Sequence, residues 1–218
     1  MLKAVIFDLD GVVTDSAAYH YQAWKMIADK LNIPFNENYN EKLKGVSRME
    51  SLNLILDNDK GRYFYTEKEK EALIYEKNEN YKELICRITP DDLLPGIAEL
   101  LKELKDNSIL TGLASASKNA EFIVRQLQVE KYFNYIANAA KIERSKPYPD
   151  IFLDCAYRLG TAVENCVGIE DAKAGIDAIH RAGMKAVGVG NRSQMLEADL
   201  VLDGTKELSL ELLKKLME

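Results

Sequence analysis

Cysteine, histidine and proline are all scarce in this chain, with three, two and five copies in 218 residues. Cys86, Cys155 and Cys166 show no CxxC spacing, which argues against a disulfide framework and against a thiolate zinc site. A reducing compartment, the cytoplasm, fits that usage. Long apolar runs are missing too. No stretch approaches the roughly 18 consecutive apolar residues of a membrane span, and the first ten residues, MLKAVIFDLD, lack the basic-then-apolar layout of a signal peptide. There is no excess of basic charge. A formal net charge of -6 offers no positive field to a phosphate backbone, so nucleic acid is not an expected partner, although local Lys and Arg can still hold small anions. Internal repeats and low-complexity segments are also absent, and the expectation is a monomer in the cytoplasm with no membrane association.

Short apolar runs are what the chain does have. KAVIFDL, SILTGLA, NYIAN, CVGIE, KAVGVG and DLVLDG read as buried strands, and most are followed by a helical pattern. PGIAELLKELKDN places Ile97, Leu100, Leu101 and Leu104 on one helical face, while PDIFLDCAYRLG and AGIDAIHRAG close on Gly160 and Gly183 as helix stops. Strand and helix in alternation predict an α/β fold, a doubly wound, Rossmann-like parallel sheet covered by helices on both faces. From Ser16 to Asp92 the rhythm changes. Only helical patterns occur there, among them AAYHYQAWKMIADKL, with Ala23, Trp24, Ile27 and Leu31 on one face, and the long, charged EKEKEALIYEKNENYKELICRI. The expectation is an all-helical cap over 16–92 inserted into a core of 1–15 and 93–218, with the two crossings able to act as a hinge.

The first strand ends in VIFDLDGVVTDS, where Asp8 and Asp10 lie two residues apart and Gly11 follows. Residues two apart in a strand share a face, so the two carboxylates are expected to project together, at a cost unless a cation or a reacting group occupies them. In a doubly wound sheet the ligand site lies beyond the carboxyl ends of the strands. Asp8, Asp10, Ser115, Lys146, Glu170 and Asp171 should converge there. Four carboxylates, a hydroxyl and an ammonium describe an all-oxygen site for a hard cation, Mg²⁺ before others.

DLDGVVTDS, ASASKN, SKPYPD and GIEDAKAGIDAI resemble, in order and spacing, the four motifs of the haloacid dehalogenase superfamily. The resemblance implies that Asp8 is a nucleophile forming an aspartyl-phosphate and that Asp10 is the general acid/base. It implies that Ser115 and the amides after it, from Ala116 on, bind phosphate oxygens and that Lys146 is the fixed cation. Mg²⁺ would lie on Asp8, Asp10 through its backbone carbonyl, Asp171 and the adjacent Glu170.

DSAAYHYQAWK and LKGVSRMESL further resemble the helical cap of the sugar-phosphate mutases of that superfamily. This implies interconversion of β-D-glucose 1-phosphate and β-D-glucose 6-phosphate through β-D-glucose 1,6-bisphosphate. A mutase must also hold the phosphate that is not being transferred. The planar fork of Arg48 suits that task, and Ser117, Lys118 and Asn119 lie just beyond Ser115, where a helix N-terminus is expected to favour an anion. By the same resemblance Lys44, Gly45, Val46 and Ser47 line the sugar. His20 helps position Asp10 and the incoming hydroxyl, Trp24 and Ser51 shape the pocket, and Lys77 matches a further family lysine. Ser16 stands where relatives carry threonine, with the hydroxyl kept. The alternatives are a Mg²⁺-dependent sugar-phosphate phosphatase, in which water discharges Asp8, and a silent sugar-phosphate-binding regulator, which the intact Asp8, Asp10, Lys146 and Asp171 set speaks against.

Overall fold

The computed structural model describes residues 1–43, 46–59, 64–194 and 197–218. Ala4–Phe7 is an unbroken apolar run with β-branched residues at its centre, and it forms β1, fully buried. The chain then runs through α1 (Ala17–Lys30), the short α2 (Glu37–Asn40), α3 (Arg48–Asp57) and α4 (Glu67–Ile85). It continues as α5 (Ile97–Asp106), β2 (Leu110–Leu113), α6 (Ala120–Gln126), β3 (Tyr135–Ile136) and α7 (Asp150–Arg158). The last elements are β4 (Cys166–Glu170), α8 (Lys173–Arg181), β5 (Lys185–Val189), β6 (Leu200–Leu202) and α9 (Leu210–Leu216).

Contacts divide the chain into two units, one made of Met1–Asp15 and Ile88–Glu218, the other of Ser16–Arg87. The division falls at Arg87/Ile88, ahead of the expected 92/93. The reason is local: Thr14 bridges Leu93, Thr14 Oγ1 donates to the Asp92 carbonyl at 2.7 Å, and the Leu94 amide donates to Val13 at 3.0 Å. Those bonds place the turn after Ile88 with the sheet.

The first unit is a six-stranded, all-parallel sheet in the order β3-β2-β1-β4-β5-β6. The order reverses at β1, the switch point outside which ligands of doubly wound sheets bind. In register, Phe7 pairs with Leu113 on one side and Ile169 on the other, so the three chain segments leave the sheet side by side. Ile6, Phe152, Cys155, Ile176 and Ile179 are buried together between the sheet and α7 and α8. On α5, Ile97, Leu100, Leu101 and Leu104 are all buried, as their spacing requires. NYIAN yields only two strand residues, because Asn134 spends its side-chain oxygen on the Thr111 amide, at 2.9 Å, before β3 begins.

Among its described residues the second unit has helices and connecting turns but no strand. Its core joins Trp24, Ile27 and Ala28 of α1 to Leu52 and Ile55 of α3 and Leu73 of α4. Thr66 and Glu69 form a reciprocal capping box at the start of α4. Among the described residues no helix is long and apolar enough to cross a membrane.

Candidate active site

β1 ends at Phe7, not at Asp10 as the alternation argument expected. The chain turns back at once: the Asp10 amide donates to Asp8 Oδ2 at 3.0 Å, and Val13 and Thr14 return their amides to the Leu9 carbonyl. The carboxylates that gather are therefore Asp8, Glu170 and Asp171, with one oxygen of each within 4.8 Å of the others. Asp10 joins them through its backbone. Gly11 makes the turn possible, since its φ of 77° is left-handed and an added Cβ would stand 2.2 Å from Asp171 Oδ2.

Asp8 and Glu170 are buried, Glu170 at the last position of β4. Two anions in such a place need a counter-charge, and Lys146 supplies it. Its Nζ donates to Asp8 Oδ1 at 2.6 Å and also to Glu170 Oε1. Burial alone would push the Lys146 ammonium down, but Asp8 and Glu170 outweigh it and hold the group above the ordinary lysine range. Burial raises Glu170 above the ordinary carboxylate range, against the pull of Lys146. The other Glu170 oxygen accepts from the amides of Asp171 and Ala172 at 2.9 and 3.0 Å.

That carboxylate has no slack, because a Cβ at Gly175 on α8 would lie 1.9 Å from Glu170 Cδ. We expect Gly175→Ala to displace Glu170 and destabilise the protein by about 1–3 kcal/mol, the usual cost of overpacking. A shift of the urea midpoint would register it, and an unchanged midpoint would mean that the site yields freely.

Beyond β2, Ser115 Oγ accepts from the Ser117 amide at 3.0 Å and Ser117 Oγ from the Asn119 amide at 3.2 Å. Each hydroxyl oxygen is engaged as an acceptor, which leaves its proton for an outside oxygen. Ala116 is half-buried and Lys118 exposed. The expected helix N-terminus is modest, since α6 has only seven residues and starts at Ala120.

The second unit carries a separate cluster. Lys77 on α4 is 1% exposed, yet its Nζ sits 2.8 Å from His20 Nδ1 and over the rings of Trp24 and Tyr81. An ammonium has no lone pair, so Nδ1 is the acceptor and neutral His20 carries its proton on Nε2. Burial first, then the charges of Lys77 and Arg48, hold the His20 pKa well below its ordinary value. Ser16 Oγ lies 3.1 Å from the Tyr81 hydroxyl. Ser47 caps α3 by accepting the Glu50 amide at 3.3 Å, Ser51 is buried and Val46 half-buried. Arg48 opens α3, and its Nη2 is buried with no hydrogen-bond partner among the described residues. Lys44 and Gly45 lie outside the described residues. Tyr81, at the centre of this cluster, had no signal in the sequence beyond that of an aromatic on an amphipathic helix.

A family model described as haloacid dehalogenase-like hydrolase matches residues 2–183. A β-phosphoglucomutase of Bacillus subtilis is 51% identical over 212 residues, which cover 97% of this chain and 94% of that protein. A phosphorylated carbohydrates phosphatase of Thermotoga maritima is 28% identical over 99% of this chain and 100% of its own. The crystal structure of a β-phosphoglucomutase from Clostridium difficile matches with a TM-score of 0.97 at 48% identity, covering 100% of this chain and 97% of that one.

Proposed function

The chain belongs to the haloacid dehalogenase-like hydrolases, and from that premise we propose that it acts as a β-phosphoglucomutase. It interconverts β-D-glucose 1-phosphate and β-D-glucose 6-phosphate, with β-D-glucose 1,6-bisphosphate as intermediate and activator. Asp8 attacks phosphorus and carries the phosphoryl group as an aspartyl-phosphate. Asp10 protonates the oxygen that leaves and later takes the proton of the hydroxyl that attacks. Ser115, with the amides that follow, and Lys146 meet the charge on the phosphoryl oxygens.

The donor set around Asp8 fits Mg²⁺, since the clustered side chains offer oxygen alone. Asp8, Asp171, the Asp10 carbonyl and the adjacent Glu170 are the groups that would hold the ion, Glu170 being tied in addition to Lys146 and to the amides of Asp171 and Ala172. Bound there, Mg²⁺ offsets negative charge on the transferring phosphoryl group. In this reading the sheet unit is the catalytic core, the helical unit is the cap, and the enzyme is a cytoplasmic monomer.

One observation favours a mutase over a phosphatase. A guanidinium nitrogen buried without a partner is costly, and Arg48 Nη2 has none among the described residues; a second phosphate is the ligand that satisfies it with charge-assisted bonds. Burial also lowers the Arg48 pKa from its ordinary value. The direct test supplies β-glucose 1-phosphate, Mg²⁺ and a trace of the bisphosphate, and measures 6-phosphate against free phosphate. Mostly free phosphate would sink the mutase reading.

Arg48→Ala should lower the mutase rate far more than the hydrolysis of acetyl phosphate, which has no second phosphate to hold. Bonds to a charged group are worth about 1.5–3 kcal/mol each, and binding energy remote from the reacting centre is what drives kcat in such a step. An equal fall in both activities would mean that Arg48 supports the fold or the reacting centre instead.

A further inference from the structure

Tyr81 is fully buried on α4 and meets His20, Lys77 and Ser16. Its ring stacks on the imidazole, with centroids 4.0 Å apart and planes at 29°. The same ring lies 4.6 Å from Lys77 Nζ, and its hydroxyl meets Ser16 Oγ at 3.1 Å. Lys77 and Tyr81 stand one helical turn apart, so α4 presents the ammonium and the ring on one face. A ring face attracts a cation and stacks on a neutral heterocycle, so one side chain fixes both partners of the Lys77–His20 hydrogen bond. A flexible lysine and a rotatable imidazole would otherwise sample many geometries, and the entropy of ordering them would be lost at each turnover.

We propose that Tyr81 is a positioning residue: it locks His20 in the orientation and tautomer that present Nε2–H to the sugar hydroxyl during phosphoryl transfer. The inference rests on the mutase reading, in which His20 faces the substrate. The phenolic hydroxyl is secondary, because its partner is Ser16. The ring is what matters.

¹⁵N NMR of the full-length protein at pH 7 reads the tautomer without any turnover. In the wild type the His20 pattern should be that of a neutral ring protonated on Nε2. Tyr81→Phe keeps the ring and should keep both this pattern and the mutase rate. Tyr81→Leu should lose the single tautomer and lower mutase kcat by about 10- to 10²-fold, the range for a misplaced group, while acetyl phosphate hydrolysis falls much less. A merely structural tyrosine would lower both activities together through the folded fraction. Wild-type His20 protonated on Nδ1 or charged at pH 7 overturns the proposal, whether or not Tyr81→Leu folds. So does a Tyr81→Leu enzyme with an unchanged pattern and rate, or a Tyr81→Phe enzyme as impaired as Tyr81→Leu. Should the wild type release free phosphate instead of 6-phosphate, the mutase reading fails while the spectra still decide whether Tyr81 locks His20.

Discussion

Asp8→Asn should leave a folded protein with no measurable mutase turnover. The amide keeps the shape of the carboxylate and its oxygen still accepts from the Asp10 amide. The nucleophilic charge is gone, and no aspartyl-phosphate can form. Loss of a covalent nucleophile in another enzyme costs on the order of 10⁶ in kcat, which sets the expected scale. Folding should suffer less, because Lys146 keeps Glu170 as its second anion. Asp8→Ala should be as inactive. Intact-mass measurement after exposure to acetyl phosphate gives an independent check: the wild type should take up one phosphoryl group and Asp8→Asn none. Steady-state activity in either variant, purified free of the host enzyme, would remove Asp8 from the mechanism.

What the sequence could announce was whatever is local. Strand residues such as Ala4–Phe7 and Cys166–Glu170 are short apolar runs, and the chemistry-bearing groups stand at their ends, so the sheet and the meeting of Asp8 with Glu170 and Asp171 were legible. The exact end of β1 was not. The turn that brings the Asp10 amide onto Asp8 depends on a left-handed Gly11 pressed against Asp171, which lies 160 positions away in sequence. Lys146 was legible as a candidate, but its double bond to Asp8 and Glu170 joins residues 138 and 24 positions apart. Tyr81 was hidden for the same reason, since His20 and Ser16 are its partners across the whole helical unit. In a charged helix such as α4, a buried tyrosine that orders a histidine and one that only fills a core look alike.

Lys146→Met should damage both stability and rate, for two different reasons that a second substitution separates. The lysine side chain is 1% exposed and holds two carboxylates, one of them equally buried. Breaking a buried ion pair by removing one partner costs about 3–5 kcal/mol, because the remaining charge is stranded. Methionine fills most of the volume, so little of that loss would come from a cavity. Glu170→Gln in the Lys146→Met background removes the stranded charge while its oxygen can still accept from the Asp171 and Ala172 amides. The double variant should therefore regain part of the lost stability, read as the urea midpoint in the presence of a chelator so that no metal enters the comparison. It should regain none of the rate. A preorganised donor aimed at developing charge is worth about 10²–10³ in kcat, and neither methionine nor glutamine restores a cation beside Asp8. Because acetyl phosphate meets the same cation, its hydrolysis should fall along with the mutase rate, the opposite of the split expected for Arg48→Ala. If Lys146→Met keeps the wild-type midpoint and rate, the buried ammonium is neither the counter-charge of Asp8 nor a partner of the phosphoryl group.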